Sequence, residues 1–278
     1  MLETTALHLG YLNLRNEVYR VTLDQLVSAG VDRIYREDLS TQVNYIDYIM
    51  NNVRHMPPDI IYTAQGFFVP NDSYLGLYFG KEAYDIKFGL YNSFGECIWL
   101  GCLVFPIKDL AGTIVGLASF NPQKYLEARE TQNWLLNYYS YSTKNVFTKG
   151  NYLFMIEGTF MRALESGYLI LTDGLFDCLS LAACGYHAAA LMGSSVTVEI
   201  LAQLRFIKKV IIISDNDEAG LLLEKKLGAS LKQLLCIHQD RTKDIDELLK
   251  TEYRQEFLSR LDSIIASTVI SNQNIRFK

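Results

Sequence analysis

Four short apolar runs punctuate the second half of the chain: YLILT (168–172), HAAALM (187–192), KVIIIS (209–214) and QLLCIH (233–238). Each is nearly continuous in apolar residues rather than alternating, the pattern of strands covered on both faces. Longer segments with helical spacing lie between them. These are LFDCLSLAAC, which stops at Gly185, VTVEILAQLRF, which follows the capping candidates Ser194 and Ser195, and AGLLLEKKLGASL. Short strands alternating with helices of ~10–15 residues predict a parallel sheet joined by crossover helices.

The first half is patterned differently. LDQLVSAG (23–30) predicts a helix ending at a Gly30 cap, and DLSTQVNYIDYIMNNV (38–53) predicts a second. MPPD then breaks the chain. Residues 60–120 carry apolar and aromatic pieces between glycines, GLYFG, CIWLGCLVFPI and GTIVGLASF, which read as strands and tight turns. Asp109–Gly112 is a hairpin-turn candidate, and 125–165 is aromatic-rich without a clear period. All five prolines fall in the first half, so composition shifts near residues 155–167.

Composition narrows the classes. An apolar content of 49% supports a real core, and a net charge of −5 excludes a broad basic surface while leaving room for a local basic groove. The five cysteines form no Cys-x-x-Cys pair, and the four histidines are scattered, so neither a zinc ribbon nor a disulfide framework is expected. The N-terminal residues lack a basic region followed by an apolar core, the pattern of a signal peptide. CIWLGCLVFPI, the longest nearly apolar stretch, is far short of the ~18 residues of a membrane span. A cytoplasmic protein without membrane contact is expected.

The acids then come into focus. The first run ends in Thr172-Asp173-Gly174, the third in Asp215-Asn216-Asp217, and Lys243-Asp244-Ile245-Asp246 follows the fourth. In a parallel α/β sheet the C-terminal strand ends share one edge, where ligands bind. Asp173, Asp215 and Asp217 should converge there, with Asp177 one helical turn beyond Asp173 and with Asp244 and Asp246 nearby. Asp-Asn-Asp taken alone reads equally well as a turn. Clustered carboxylates, however, raise one another's pKa values, and a divalent cation removes the repulsion. Oxygen ligands without cysteine or histidine suit Mg²⁺ or Mn²⁺, as a pair of ions, rather than zinc.

These residues carry a resemblance. YLILTDGLFDCLSLAACGYHAAALMGSSVT, VIIISDNDEAG and KDIDELL resemble the TOPRIM domain of primases, topoisomerases and related nucleases. LVFPIKDLAGTIVGL and NVFTKGNYLF resemble segments of the DnaG-type primase core. The resemblance covers about residues 60–250. It implies an α/β fold: a C-terminal TOPRIM domain with a roughly four-stranded parallel sheet flanked by helices, preceded by an α+β primase-core subdomain. The divisions that follow are a helical segment (1–55), the α+β subdomain (56–160), the TOPRIM domain (161–250), and a C-terminal helix and tail (251–278).

The activity implied is primer synthesis from nucleoside triphosphates on single-stranded DNA. Asp173, Asp215 and Asp217 would be catalytic metal ligands, and Asp177, Asp244 and Asp246 outer or second-metal ligands. Lys149, with Lys144 and Lys124, would contact phosphates, and Lys243 would steady the acidic pair. The sequence also departs from the family. Asp173 stands where glutamate is usual. Cys102 and Phe120 lie near positions that are commonly arginine, and Asn137 lies where a basic residue would precede Tyr138. These changes, and the lack of a zinc motif, imply a separate zinc-binding subunit or a replicative helicase as partner. A TOPRIM nuclease and a catalytically impaired replisome subunit are the alternatives.

Overall fold

A computed structural model describes residues 23–80, 91, 94–133, 138–141, 148–193, 196–215, 217–237, 242 and 244–273. Ser194, Ser195, Asn216, Asn137, Lys144 and Lys243 lie outside the described residues. The chain divides into two compact units after Lys149, ahead of the composition shift at 155–167.

In the first unit, α1 (residues 23–37) is followed by α2 (Leu39–Ile49). A π-helical turn, Met50–Arg54, extends α2 and ends at His55 in the left-handed region (φ 53°). Then come α3 (Asp59–Thr63), β1 (Phe67–Phe68), α4 (Asp72–Phe79), β2 (Leu103–Lys108), β3 (Ile114–Phe120), α5 (Pro122–Thr131) and β4 (Tyr139–Tyr141). The strands pair antiparallel in the order β1-β2-β3-β4. Asp109–Gly112 forms the β2–β3 turn as the sequence indicated. The Asp109 carboxylate accepts from the Ala111 and Thr113 amides, at 2.9 and 3.0 Å, and Gly112 takes a positive φ of 87°.

Two sequence expectations are corrected in this unit. Gly30 does not cap a helix, because α1 continues past it to residue 37. The stripe Leu23, Val27, Val31 and Ile34 is fully buried or nearly so, and that face continues through the glycine. A Cβ at Gly30 would stand 2.5 Å from the Phe79 ring, so the glycine is there for close approach of α1 to α4. GLYFG is not a strand: its first four residues close α4, and Gly80 (φ 80°) ends the helix. Tyr74, Leu75 and Phe79 bury one side of α4 in the cluster with Phe67, Trp99, Val104 and Leu117, and this packing overrides the strand propensity of the aromatics. Buried Gln42 of α2 is satisfied on both ends. Its Nε2 donates to Phe68 O (3.0 Å) and Tyr74 Oη (2.6 Å), and its Oε1 accepts from Phe68 N (2.7 Å), so it serves β1 in place of a neighbouring strand.

The second unit opens with a 3₁₀ turn at Lys149–Asn151. It continues with β5 (Phe154–Met155), α6 (Thr159–Ser166), β6 (Tyr168–Thr172), α7 (Leu175–Ala183), β7 (Ala188–Ala190), α8 (Val198–Leu204), β8 (Lys209–Ile212), α9 (Glu218–Gly228), β9 (Leu234–Cys236), α10 (Ile245–Leu248) and α11 (Arg254–Gln273). The strand order is β5-β7-β6-β8-β9. β7, β6, β8 and β9 are parallel, as the apolar runs predict. The fifth strand, β5, adds an antiparallel edge beside β7; at two residues it has no period to detect. Leu169, Leu171, Val210, Ile212 and Ala189 are buried against Leu204, Leu223 and Leu227 of the crossover helices. All five cysteines are free thiols. Among the described residues, no helix is long and apolar enough to cross a membrane.

The Gly30 contact is testable. Alanine in a helix interior gains about 1 kcal/mol over glycine. Overpacking a tight core costs about 1–3 kcal/mol. The 2.5 Å approach to ring carbons decides for overpacking. Gly30→Ala is expected to lower stability by about 1–2 kcal/mol in urea denaturation, and combination with Phe79→Leu should recover part of the loss.

Candidate metal centre

β6 and β8 are hydrogen-bonded neighbours, with Ile170 opposite Ile211 and Leu171 opposite Ile212. The residues just past their C-terminal ends are therefore brought side by side, and these are Asp173 and Asp215. The Asp215 amide donates to Asp173 Oδ2 at 3.3 Å, which ties the two loops together. Thr172 Oγ1 donates to Gly174 O at 2.9 Å and fixes the turn into α7. Asp177, in the first turn of α7, is buried and points back to the same edge. Ligand oxygens of Asp173, Asp177 and Asp215 all lie within 4.8 Å of one another.

Two glycines make this approach possible. A Cβ at Gly174 would meet Asp177 Oδ2 at 2.2 Å, and one at Gly220 would meet Asp215 O at 2.1 Å. Neither has a positive φ in this structure. Both are required by space rather than by backbone conformation.

The remaining acids are placed differently. Asp217 is the N-cap of α9, and its Oδ1 accepts from the Gly220 amide at 2.9 Å. Asp244 is the N-cap of α10, and its Oδ1 accepts from the Glu247 amide at 2.8 Å. Asp246 is 2% exposed; Ser180 Oγ donates to its Oδ1 and Lys250 Nζ to its Oδ2, each at 2.6 Å. The Asp246 amide in turn donates to Asp177 Oδ1 at 3.0 Å. The structure thus gathers Asp173, Asp177 and Asp215 into one group and sets Asp217, Asp244 and Asp246 around it.

The electrostatics follow from this placement. Burial pushes the Asp173 carboxyl up. Hydrogen bonds from backbone amides partly oppose that rise, and the charge of Asp217 adds to it. Asp177 is held well above the usual carboxylate range, first by burial and then by the charges of Asp244, Asp215 and Asp246. Three converging oxygen donors, with no sulfur or imidazole among them, fit a hard divalent cation.

The lysines are less informative. Lys124 is exposed on α5, in the first unit, where its amide donates to the Asn121 cap. The backbone of Lys149 opens the 3₁₀ turn; its side chain, like Lys144 and Lys243, lies outside the described residues. Tyr138 and Tyr139 pack on Phe120, and Tyr138 also meets Tyr125, at centroid distances of 5.3–6.3 Å. Tyr141 is buried enough to push its phenol up to about 12. Sequence reasoning missed Ser180, Lys250 and Gly220. Only Lys250 left a signal, its i,i+4 spacing from Asp246.

Comparison with known proteins agrees with this geometry. The Toprim-like family model matches residues 170–249. The DNA primase of Aquifex aeolicus is 26% identical over 268 residues, which are 88% of this chain and 50% of that protein. The DNA primase of Thermotoga maritima is 33% identical over 162 residues, 55% of this chain and 26% of that protein. The chain therefore spans half or less of the length of these curated relatives. Among solved structures, the A. aeolicus primase comprising zinc-binding and RNA polymerase domains superposes with a TM-score of 0.66 at 24% identity, covering 90% of this chain and 60% of that one. A DnaG primase catalytic domain bound to single-stranded DNA superposes with a TM-score of 0.67 at 21% identity, covering 89% and 80%. Residues 170–249 match the Toprim-like family, and the chain is similar in sequence to bacterial DNA primases and in fold to the DnaG catalytic domain.

Proposed function

We propose that this chain is the catalytic core of a DNA primase, joining ribonucleotides on a single-stranded DNA template. The observation that carries the reading is the convergence of Asp173, Asp177 and Asp215 within 4.8 Å at the C-terminal edge of the Toprim-like sheet. The reaction is attack of a ribonucleotide 3′-hydroxyl on the α-phosphate of an incoming nucleoside triphosphate. A new phosphorus–oxygen bond forms, the bond to the β-phosphate's bridging oxygen breaks, and pyrophosphate leaves.

Asp173, Asp177 and Asp215 would hold Mg²⁺ or Mn²⁺, with Asp217 contributing from the head of α9. The bound cation supplies neutralisation of the phosphate charge and a lower pKa for the attacking hydroxyl. Asp173 has a further part as proton acceptor at its carboxylate. The Asp215 amide orients Oδ2, and burial raises its basicity. Gly174 and Gly220 keep the floor of the site narrow enough for the carboxylates to face a common point. Lys149, Lys144 and Lys124 supply phosphate contacts, and Lys243 steadies the adjoining acids. The partner is a separate zinc-binding subunit or a helicase.

Purified protein with labelled nucleotides, a mixed single-stranded template and Mn²⁺ or Mg²⁺ should give short RNA products. Asp215→Ala and Asp217→Ala should each lower the yield by ~100-fold or more, the scale of a lost transition-state contact. A labelled oligonucleotide in the same reaction reports cleavage. Cleavage without synthesis would replace the primase reading with a nuclease, and neither activity, with cell extract added, would leave a non-catalytic subunit.

Metal-free stability should fall as pH rises. The folded protein holds the Asp177 proton more tightly than the unfolded chain, whose carboxylates titrate near pH ~4. Stability is therefore fully present below that pH and is lost as pH rises through the raised value. Asp177→Asn keeps an acceptor for the Asp246 amide and removes the charge. In chelator, its urea midpoint is expected to exceed that of the wild type at pH 8 and to match it at pH 4.

A further inference from the structure

We infer that Ser180, Asp246 and Lys250 form a clamp that positions the Asp177 carboxylate, and that Asp246 acts through Asp177 rather than as a metal ligand; this rests on the metal site proposed above. Three contacts converge on Asp246. Ser180 Oγ donates to Oδ1 at 2.6 Å, Lys250 Nζ to Oδ2 at 2.6 Å, and the Asp246 amide donates to Asp177 Oδ1 at 3.0 Å.

Both carboxylate oxygens of Asp246 are thus engaged by cationic or hydroxyl donors. A divalent cation there would compete directly with Lys250. The side chain of Asp246 is 3% exposed and that of Lys250 25%, so the ion pair is sealed at the acid and open only at the amine. Ser180 and Asp177 lie one turn apart on α7, while Asp246 and Lys250 lie one turn apart on α10 and just past its end. The two turns face each other. The serine–aspartate bond sets their spacing, and the amide–carboxylate bond transmits it to the metal-facing group.

Lys250 answers a specific electrostatic problem. Asp246 is a carboxylate almost fully removed from solvent, in contact with Asp177 through its amide. A resident ammonium group 2.6 Å from Asp246 offsets that charge without occupying the site where Asp173, Asp177 and Asp215 meet. Burying a charged group requires a partner of this kind. Positioning contacts behind a ligand typically govern metal affinity by ~10–100-fold.

The test is a Mn²⁺ titration of the full chain, read by electron paramagnetic resonance, together with thermal midpoints in chelator. Asp246→Asn should keep the wild-type number of bound ions and bind them ~10-fold more weakly, whereas Asp215→Asn should lose an ion. Ser180→Ala should weaken Mn²⁺ binding at temperatures where it is fully folded, and Ser180→Thr should restore it. Lys250→Met should lower the midpoint, and the double variant Asp246→Asn/Lys250→Met should recover it, because the buried charge and its partner leave together. Loss of a whole ion in Asp246→Asn, or no recovery in the double variant, overturns the clamp while leaving the metal site standing. A wild-type chain that takes up no Mn²⁺ overturns both.

Discussion

Repulsion among carboxylates crowded at one edge of a sheet is the constraint on which the second unit depends. Parallel pairing of β6 with β8 brings the acids together, since Asp173 directly follows β6 and Asp215 lies three residues past the end of β8. The fold responds by sorting the acids. Asp217 and Asp244 each accept an amide at a helix start, where the unpaired N–H groups and the dipole favour negative charge. Asp246 is met by Lys250. Asp173, Asp177 and Asp215 are the three left facing one another.

That sorting has an energetic logic. An N-cap is worth about 1 kcal/mol, so Asp217 and Asp244 stabilise α9 and α10 whether or not a cation is present. An uncompensated buried charge costs several kcal/mol, which a lone Asp246 would impose. Asp177 differs: burial, and then the charges of Asp244, Asp215 and Asp246, raise its carboxyl well above the usual carboxylate range. Burial raises Asp173 as well, so the cost of ionisation falls on both carboxyls. Gly174 and Gly220 permit this close approach, since a Cβ at either would collide with Asp177 Oδ2 or with the Asp215 carbonyl.

Much of this was legible in the sequence, and the reason is period. Tyr168–Thr172 is a strand with the bounds its apolar run gave, and the runs ending at Met192, Ser214 and His238 each contain a strand. The acids at those strand ends followed from topology alone. What did not follow were features that depend on contacts distant in sequence. Gly30 read as a cap because a cap is the commonest use of glycine after a helical run, whereas its partner, Phe79, is far along the chain. GLYFG read as a strand because aromatics favour strands locally, yet its burial pattern belongs to a helix packed on one side. Ser180 looked like any small residue in an apolar helix until α10 was brought against it.

In the first unit, Cys102 and Phe120 are both buried. Cys102 is buried, with its thiol pushed up to about 11 by desolvation, and Asn121 Nδ2 lies 3.6 Å from its sulfur. Phe120 is fully buried among Tyr125, Tyr138 and Tyr139. Arg54 lies over this aromatic group, 4.8 Å from the Tyr125 centroid and 5.5 Å from that of Phe120. A guanidinium at Phe120 would have to be buried beside Arg54, at a desolvation cost. Two cations, Arg54 and Arg129, meet this aromatic group, and ring packing fills the space around Phe120.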